Sequence, residues 1–264
     1  MRIIVTRPER EAQDWVQALQ RAGHAAQALP LIAIGPAPDP DAVQQAWRQL
    51  RQYLGVMFVS ANAVAGFFAA RPAGAAGLFA DAGTATRAWA TGPGTTQALL
   101  RAGVPAACID APPADAAQFD SEALWQRVGA AVGAGSRVLI VRGADAADGG
   151  NTQGAGRDWF ARQVTQAGGT VDFVVSYQRQ RPQLDAAQQQ LARTAASDGS
   201  VWLFSSSEAV HNLQACLPQQ DWQAARAVAT HARIAQAARR AGFAVVRESR
   251  PALADIEASI ESMQ

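Results

Sequence analysis

Lysine is missing from this 264-residue chain; all 23 basic residues are arginine. A Schiff-base lysine and the lysine of a phosphate-binding loop are therefore both excluded. Cysteine is scarce. Cys108 and Cys216 lack metal-site spacing, and in a chain of this size they read as reduced core thiols rather than a disulfide framework. The three histidines, His24, His211 and His231, are scattered without ligand spacing, which argues against a metal site. No apolar run approaches the roughly 20 residues a membrane span needs. Met1-Arg2-Ile3-Ile4-Val5 turns polar at Thr6-Arg7, so a signal-peptide core is not expected and the cytoplasm is the expected compartment. The net charge of only +1 argues against a surface built on nucleic-acid phosphates. It leaves room for a local arginine-lined pocket suited to a carboxylate-rich small molecule.

What the chain does have is a likeness to itself. Arg2-Ile3-Ile4-Val5-Thr6-Arg7 matches Arg137-Val138-Leu139-Ile140-Val141-Arg142, an offset of 135. Arg21-Ala22-Gly23 matches Gln166-Ala167-Gly168 at 145, and Phe58 to Val64 matches Phe204 to Val210 at 146. Ala90-Thr91 through Arg101-Ala102-Gly103 matches Ala229-Thr230 through Arg240-Ala241-Gly242 at 139. Four matches in one order point to an internal duplication.

Each copy alternates short apolar runs with amphipathic stretches, the pattern of a parallel sheet covered by helices. In the first copy the strands are expected at 3–6, 26–34, 56–60, 88–91 and 106–110. In the second they are expected at 138–142, 171–177, 200–205, 225–229 and 244–246. Helices fill the gaps, beginning with one from Pro8, suited to a first helical position, to a stop at Gly23. Five strands per copy with crossover helices make a flavodoxin-like doubly wound sheet, twice. A simple tandem would divide near Gly133. A swapped arrangement would join the first strand–helix–strand to the second copy's last three strands, with the polar segments Gly35–Pro40 and Gln178–Pro182 as crossovers.

In open α/β sheets ligands sit outside the carboxyl ends of the strands, against helix N-termini. The candidates there are Thr6-Arg7 and Arg142-Gly143 at the paired first-strand ends. Ser60-Ala61-Asn62 and Ser205-Ser206-Ser207 stand at the paired third-strand ends, able to cap a helix or to leave donors open to an anion. The turn Thr91-Gly92-Pro93-Gly94-Thr95-Thr96 and its counterpart Thr230-His231-Ala232-Arg233 complete the set; neither is a dinucleotide or Walker fingerprint. Tyr177, one of two tyrosines, ends the run Val171 to Tyr177, where a packing residue with its hydroxyl in water is the ordinary alternative.

Taken together, these motifs resemble the uroporphyrinogen-III synthase family over nearly the whole chain. The residues carrying the resemblance include Val5-Thr6-Arg7-Pro8-Glu9, Leu29-Pro30-Leu31-Ile32, Phe58 to Val64, and Gly92-Pro93-Gly94-Thr95-Thr96. Phe119-Asp120-Ser121-Glu122, Val138 to Gly143, Tyr177-Gln178-Arg179 and Phe204-Ser205-Ser206-Ser207 add to them. The resemblance implies two flavodoxin-like domains, the first discontinuous, joined by a two-stranded linker with the active site in the cleft between them. On that basis domain 1 is expected over 1–35 plus 180–264, domain 2 over 38–175, and the linker strands over 35–40 and 176–182. Three features depart from the family's pattern: a long Gly/Asp-rich stretch Ala144–Ala155, Trp159 beside Arg157, and no proline before Arg233.

The resemblance further implies cyclisation of the linear tetrapyrrole hydroxymethylbilane to uroporphyrinogen III, with loss of water, inversion of ring D, and no cofactor or metal. It makes Tyr177 the candidate for assisting departure of the substrate hydroxyl. Thr6, Arg7, Ser60, Asn62, Gly92, Thr95, Arg142, Gly143, Ser205, Ser206, Ser207, Thr230 and Arg233 are the candidate substrate-binding residues. A monomer is expected, with a transient handoff from hydroxymethylbilane synthase as a reasonable partner contact. Competing readings are a non-catalytic tetrapyrrole-binding module, a two-lobed small-molecule receptor, and a nucleotide-dependent enzyme. Product formation separates the first from a synthase; the absent leader disfavours the second, and missing glycine and lysine fingerprints disfavour the third.

Overall fold

A computed structural model describes residues 1–75, 79, 86–113, 116, 118–145 and 155–263. The chain divides into two compact units, Met1–Ala33 with Gln180–Gln264 and Ile34–Arg179.

Unit 1 opens with strand β1 (Arg2–Val5), helix α1 (Glu9–Arg21) and β2 (Ala25–Ala28). After the excursion through unit 2 it continues with α7 (Ala186–Ala195), β9 (Val201–Phe204), α8 (Ser207–Cys216), β10 (Arg226–Ala229), α9 (Ala232–Arg240), β11 (Val245–Glu248) and α10 (Leu253–Glu261). Its sheet runs β11-β10-β9-β1-β2, every pair parallel, with Ile3 opposite both Ala26 and Val201. Unit 2 contains β3 (Ala33–Gly35), α2 (Pro40–Arg48), β4 (Gly55–Phe58), α3 (Ala61–Ala69), β5 (Arg87–Ala90), α4 (Pro93–Arg101) and β6 (Ile109–Asp110). It closes with α5 (Ser121–Val128), β7 (Arg137–Asp145), α6 (Ala155–Gln166) and β8 (Thr170–Gln180), and its sheet order is β3-β8-β7-β4-β5-β6.

Renumbered by copy, and with β3 set aside as an added edge strand of unit 2, both sheets follow one flavodoxin-like order, second-first-third-fourth-fifth. The first two strands of each copy sit with the last three of the other, as a swap requires. β3 lies beside β8, so the two passages of the chain between units are neighbouring strands.

Central strands buried on both faces need apolar residues at successive positions rather than alternation. β4 (Gly-Val-Met-Phe) and β9 (Val-Trp-Leu-Phe) are buried throughout. One face of unit 1 packs Trp202, Phe204, Trp222 and Phe243, and the other packs Ile3, Val5, Leu203 and Ile256. In unit 2 one face holds Trp47, Phe58, Phe67, Leu139, Val141 and Val174, and the other holds Met57, Trp89, Val138, Ile140 and Phe160. Helix starts follow capping chemistry: Asp39, Ser60, Asp120, Asp185, Ser206 and His231 each accept a backbone N–H of the first turn. Four helices share one stop. Gly23, Gly103, Gly168 and Gly242, each after an alanine, adopt positive φ (89°, 88°, 87° and 101°), a conformation glycine reaches without a Cβ penalty.

Three expectations are corrected. The strand expected at 26–34 is two strands, because Pro30, which has no N–H for a ladder, interrupts it. The strand expected at 106–110 is a 3₁₀ turn over Ala106–Cys108 followed by the two-residue β6. β7 and β8 are both longer than expected, and they stay paired as far as Asp145 and Arg179. Of the stretch 144–155, residues 146–154 lie outside the described residues. Both cysteines are free and only partly buried, and the Cys216 thiol donates to the Pro182 carbonyl at 3.4 Å. Among the described residues no helix is long and apolar enough to cross a membrane.

Candidate active site

Because the registered strand pairs are parallel, the carboxyl ends of each sheet gather at one edge, where the candidate residues lie. In unit 2 that edge carries a tyrosine–serine pair. Tyr177, near the end of β8, is 7% exposed, and its Oη lies 3.3 Å from Ser60 Oγ. Ser60 is also the N-cap of α3, accepting the Ala63 N–H at 3.1 Å. A hydroxyl oxygen has two lone pairs and one proton, so Ser60 can cap the helix and still donate to the phenol oxygen. Gly143 stands opposite Tyr177 in the ladder, and a Cβ there would fall on the tyrosine ring. Expected as a substrate contact, Gly143 is the clearance that lets the ring lie down.

The rest of this edge is mixed. The Arg142 guanidinium lies 4.8 Å over the ring of Phe173, an aromatic that is 44% exposed and was not anticipated. Gly92 is the N-cap of α4, and a Cβ there would stand 3.1 Å from Phe119. Thr95, expected as a substrate contact, is buried within α4. Asn62 is partly buried in the first turn of α3.

In unit 1, Thr6 is 1% exposed, and its hydroxyl donates to the Leu203 carbonyl at 2.7 Å. Its own carbonyl accepts from Leu31 N–H at 3.3 Å. Thr6 thus ties β1 to its neighbours and offers no side-chain donor to a ligand. Arg7 beyond it is a partly sunken cation. Its guanidinium lies 4.7 Å over Trp15 and meets Glu11 at 3.5 Å, while its Nε is buried without a hydrogen-bond partner. Burial lowers its pKa and Glu11 opposes that shift; an arginine still keeps its charge at neutral pH. The serine triplet divides its labour: Ser206 caps α8 by accepting the Glu208 N–H at 3.1 Å, Ser207 Oγ is buried without a partner, and Ser205 is partly buried. At the β10 end His231, rather than Thr230, caps α9 through Nδ1, and Arg233 is exposed. Trp15 was missed in the sequence; its place eight residues after Arg7, about two helical turns, is the weak signal that marks it.

The second tyrosine occupies the opposite edge of the unit 2 sheet. Tyr53 Oη donates to Asp172 Oδ2 at 2.9 Å, Arg137 Nη2 reaches the same oxygen at 2.6 Å, and the guanidinium lies 4.9 Å over the Tyr53 ring. Burial, then the Asp172 hydrogen bond and charge, push the Tyr53 phenol up to about 12, with Arg137 opposing. A pKa raised above the unfolded value of about 10 gives stability that is complete below pH ~10 and is lost as pH rises toward 12. Urea titrations of wild type and Tyr53→Phe should therefore converge across that window. At neutral pH the variant should be weaker by about 1 kcal/mol. Parallel pH curves would contradict the assignment. Among the described residues no cluster of His, Cys, Asp and Glu could hold a metal.

Two doubly wound α/β units, interleaved in sequence and each with a polar carboxyl-end edge, define a bipartite flavodoxin-like protein rather than a nucleotide-loop enzyme. The family model described as uroporphyrinogen-III synthase HemD matches residues 13–257. The uroporphyrinogen-III synthetase structure from Helicobacter pylori 26695 is similar at 14% identity and TM-score 0.57, covering 100% of both chains. A mutant uroporphyrinogen III synthase from the extremely thermophilic bacterium Thermus thermophilus aligns at 13% identity and TM-score 0.49, over 100% of this chain and 98% of that one. No curated protein sequence matches. The chain belongs to the uroporphyrinogen-III synthase family, cyclising hydro-lyases of tetrapyrrole biosynthesis.

Proposed function

We propose that the protein closes hydroxymethylbilane to uroporphyrinogen III through a spiro intermediate, with Tyr177 as the proton donor to the departing hydroxyl. The observation that carries this beyond family membership is the contact of buried Tyr177 with the partly buried Ser60 at a strand carboxyl end. Hydroxide is a poor leaving group. A phenol hydroxyl can give its proton as the C–O bond breaks. The leaving oxygen departs as water and the substrate becomes an azafulvenium cation. Ser60, donating to the phenol oxygen, steadies the developing phenolate. Carbon–carbon bond formation at the substituted α-position of ring D gives the spiro species. The bond from that carbon to the methylene shared with ring C then breaks, leaving a second azafulvenium cation. The other α-carbon of ring D closes on that methylene, so the ring is inverted. The proton shed as the macrocycle regains its last pyrrole returns to Tyr177, so atoms and charge balance.

The polar edge of each unit carries groups suited to binding. Arg7, with its buried Nε donor, and Arg142 are matched to substrate carboxylates by guanidinium geometry. Ser205, Ser207, Asn62 and the backbone around Gly92 supply neutral donors, and exposed Arg233 and partly buried Thr230 serve the periphery. Thr6 and Gly143 act through the fold. The cytoplasm, a monomeric state and direct receipt of substrate from hydroxymethylbilane synthase complete the proposal. Fresh hydroxymethylbilane should disappear faster with the protein than by spontaneous closure; an unchanged rate from folded protein would defeat it.

A further inference from the structure

β8 does not keep step with β7. Arg142 pairs with Val175, but Gly143 pairs with Tyr177, so Ser176 is an extra residue in the ladder. This matters because side chains alternate between sheet faces. Val171 packs on the face with Val138, Ile140 and Phe160, and Val174 on the face with Leu139, Val141 and Phe67. Uninterrupted alternation from these two residues would put Tyr177 on the Val171 face, away from α3. The bulge moves it across: Tyr177 packs with Val174, Leu139 and Val141, on the side where Ser60 caps α3. A one-residue bulge is a known means of re-aiming a side chain.

The bulge is gripped by one face of α3. Ser176 is 1% exposed, and its Oγ donates to the Ala63 carbonyl at 3.0 Å. One turn on, Gly66 leaves the space that the Ser176 backbone carbonyl occupies, and a Cβ there would fall on that oxygen. Ser60, Ala63 and Gly66 are spaced by three, so they share a helix face. The first meets the Tyr177 hydroxyl, and the other two hold the residue that aims it.

We propose that Gly66 and Ser176 are positioning residues for Tyr177, setting its hydroxyl through the β8 bulge; the catalytic part of this rests on the reading of Tyr177 above. Placement and catalysis can be read separately. In a Tyr53→Phe background, 3-fluorotyrosine labels Tyr177 alone and gives a single ¹⁹F resonance. Gly66→Ala should shift that resonance and lower kcat by about tenfold to 10²-fold, the scale of a misplacement near 1 Å, with KM little changed. Ser176→Ala, which removes only the Ala63 hydrogen bond and keeps the fold should Gly66→Ala not, should move both in the same direction by less. In a Tyr177→Phe background neither substitution should cost further turnover. An unmoved resonance in both variants, or losses that multiply with that of Tyr177→Phe, would overturn the proposal. Full activity in Tyr177→Phe itself would remove the catalytic reading, while a shifted resonance would still uphold the placement.

Discussion

Tyr177→Phe is expected to lower kcat on the order of 10²-fold, the lower end of what a positioned general acid contributes, while KM stays within about twofold. Phenylalanine keeps the ring packed among Val174, Leu139 and Val141 and removes only the hydroxyl facing Ser60. The folded state should lose no more than about 1 kcal/mol, the net worth of one hydrogen bond. An interaction made chiefly as the C–O bond breaks is absent from the ground state, so its loss shows in kcat rather than in KM. Steady-state kinetics on purified proteins, with thermal unfolding as the fold control, give the answer. Turnover comparable to wild type would remove Tyr177 from the mechanism.

Gly143→Ala is expected to damage both stability and turnover. The new methyl has no space: it would stand 2.7 Å from Tyr177 Cε1, and the ring is wedged in a ladder rather than at the end of a flexible chain. Overpacking of this kind costs about 1–3 kcal/mol. Relief by swinging the ring outward would carry the hydroxyl away from Ser60, so kcat should fall toward the Tyr177→Phe level. The cause can be isolated with a second substitution. In a Tyr177→Ala background the cavity left by the ring accommodates the methyl, and most of the stability penalty should vanish. A Gly143→Ala protein with wild-type stability and kinetics would contradict the packing described for this edge.

The layer structure was legible because buried parallel strands and capped amphipathic helices leave strong local marks. The Ala-Gly stops after α1, α4, α6 and α9 are repeated in both copies, and each is the residue pair the backbone needs there. The swap was favoured over a simple tandem only by the matching places of the two polar crossover segments and by the family resemblance, since strand exchange between copies changes no local pattern. What escaped were features that depend on register and depth. Nothing local in Val171 to Gln180 announces that Ser176 is extra; that follows from α3 offering it a carbonyl and a gap. Thr6 and Thr95 look like surface donors in sequence, but the first is consumed by the Leu203 carbonyl and the second is buried in α4. Gly143 stood out as a strand-end glycine, yet its purpose depends on an aromatic more than thirty residues away in sequence. Arg7 was found as a cation, but not the tryptophan beneath it or the buried Nε.

The most direct measurement is the isomer of the product. Hydroxymethylbilane is generated fresh and mixed with the protein, and the products are oxidised and separated as type I and type III uroporphyrins. Spontaneous closure yields type I. Predominant type III is the result expected here, because only ring D inversion produces it. Type I at the rate without enzyme, from protein shown to be folded, would contradict the account: the family's fold would be present and its reaction absent.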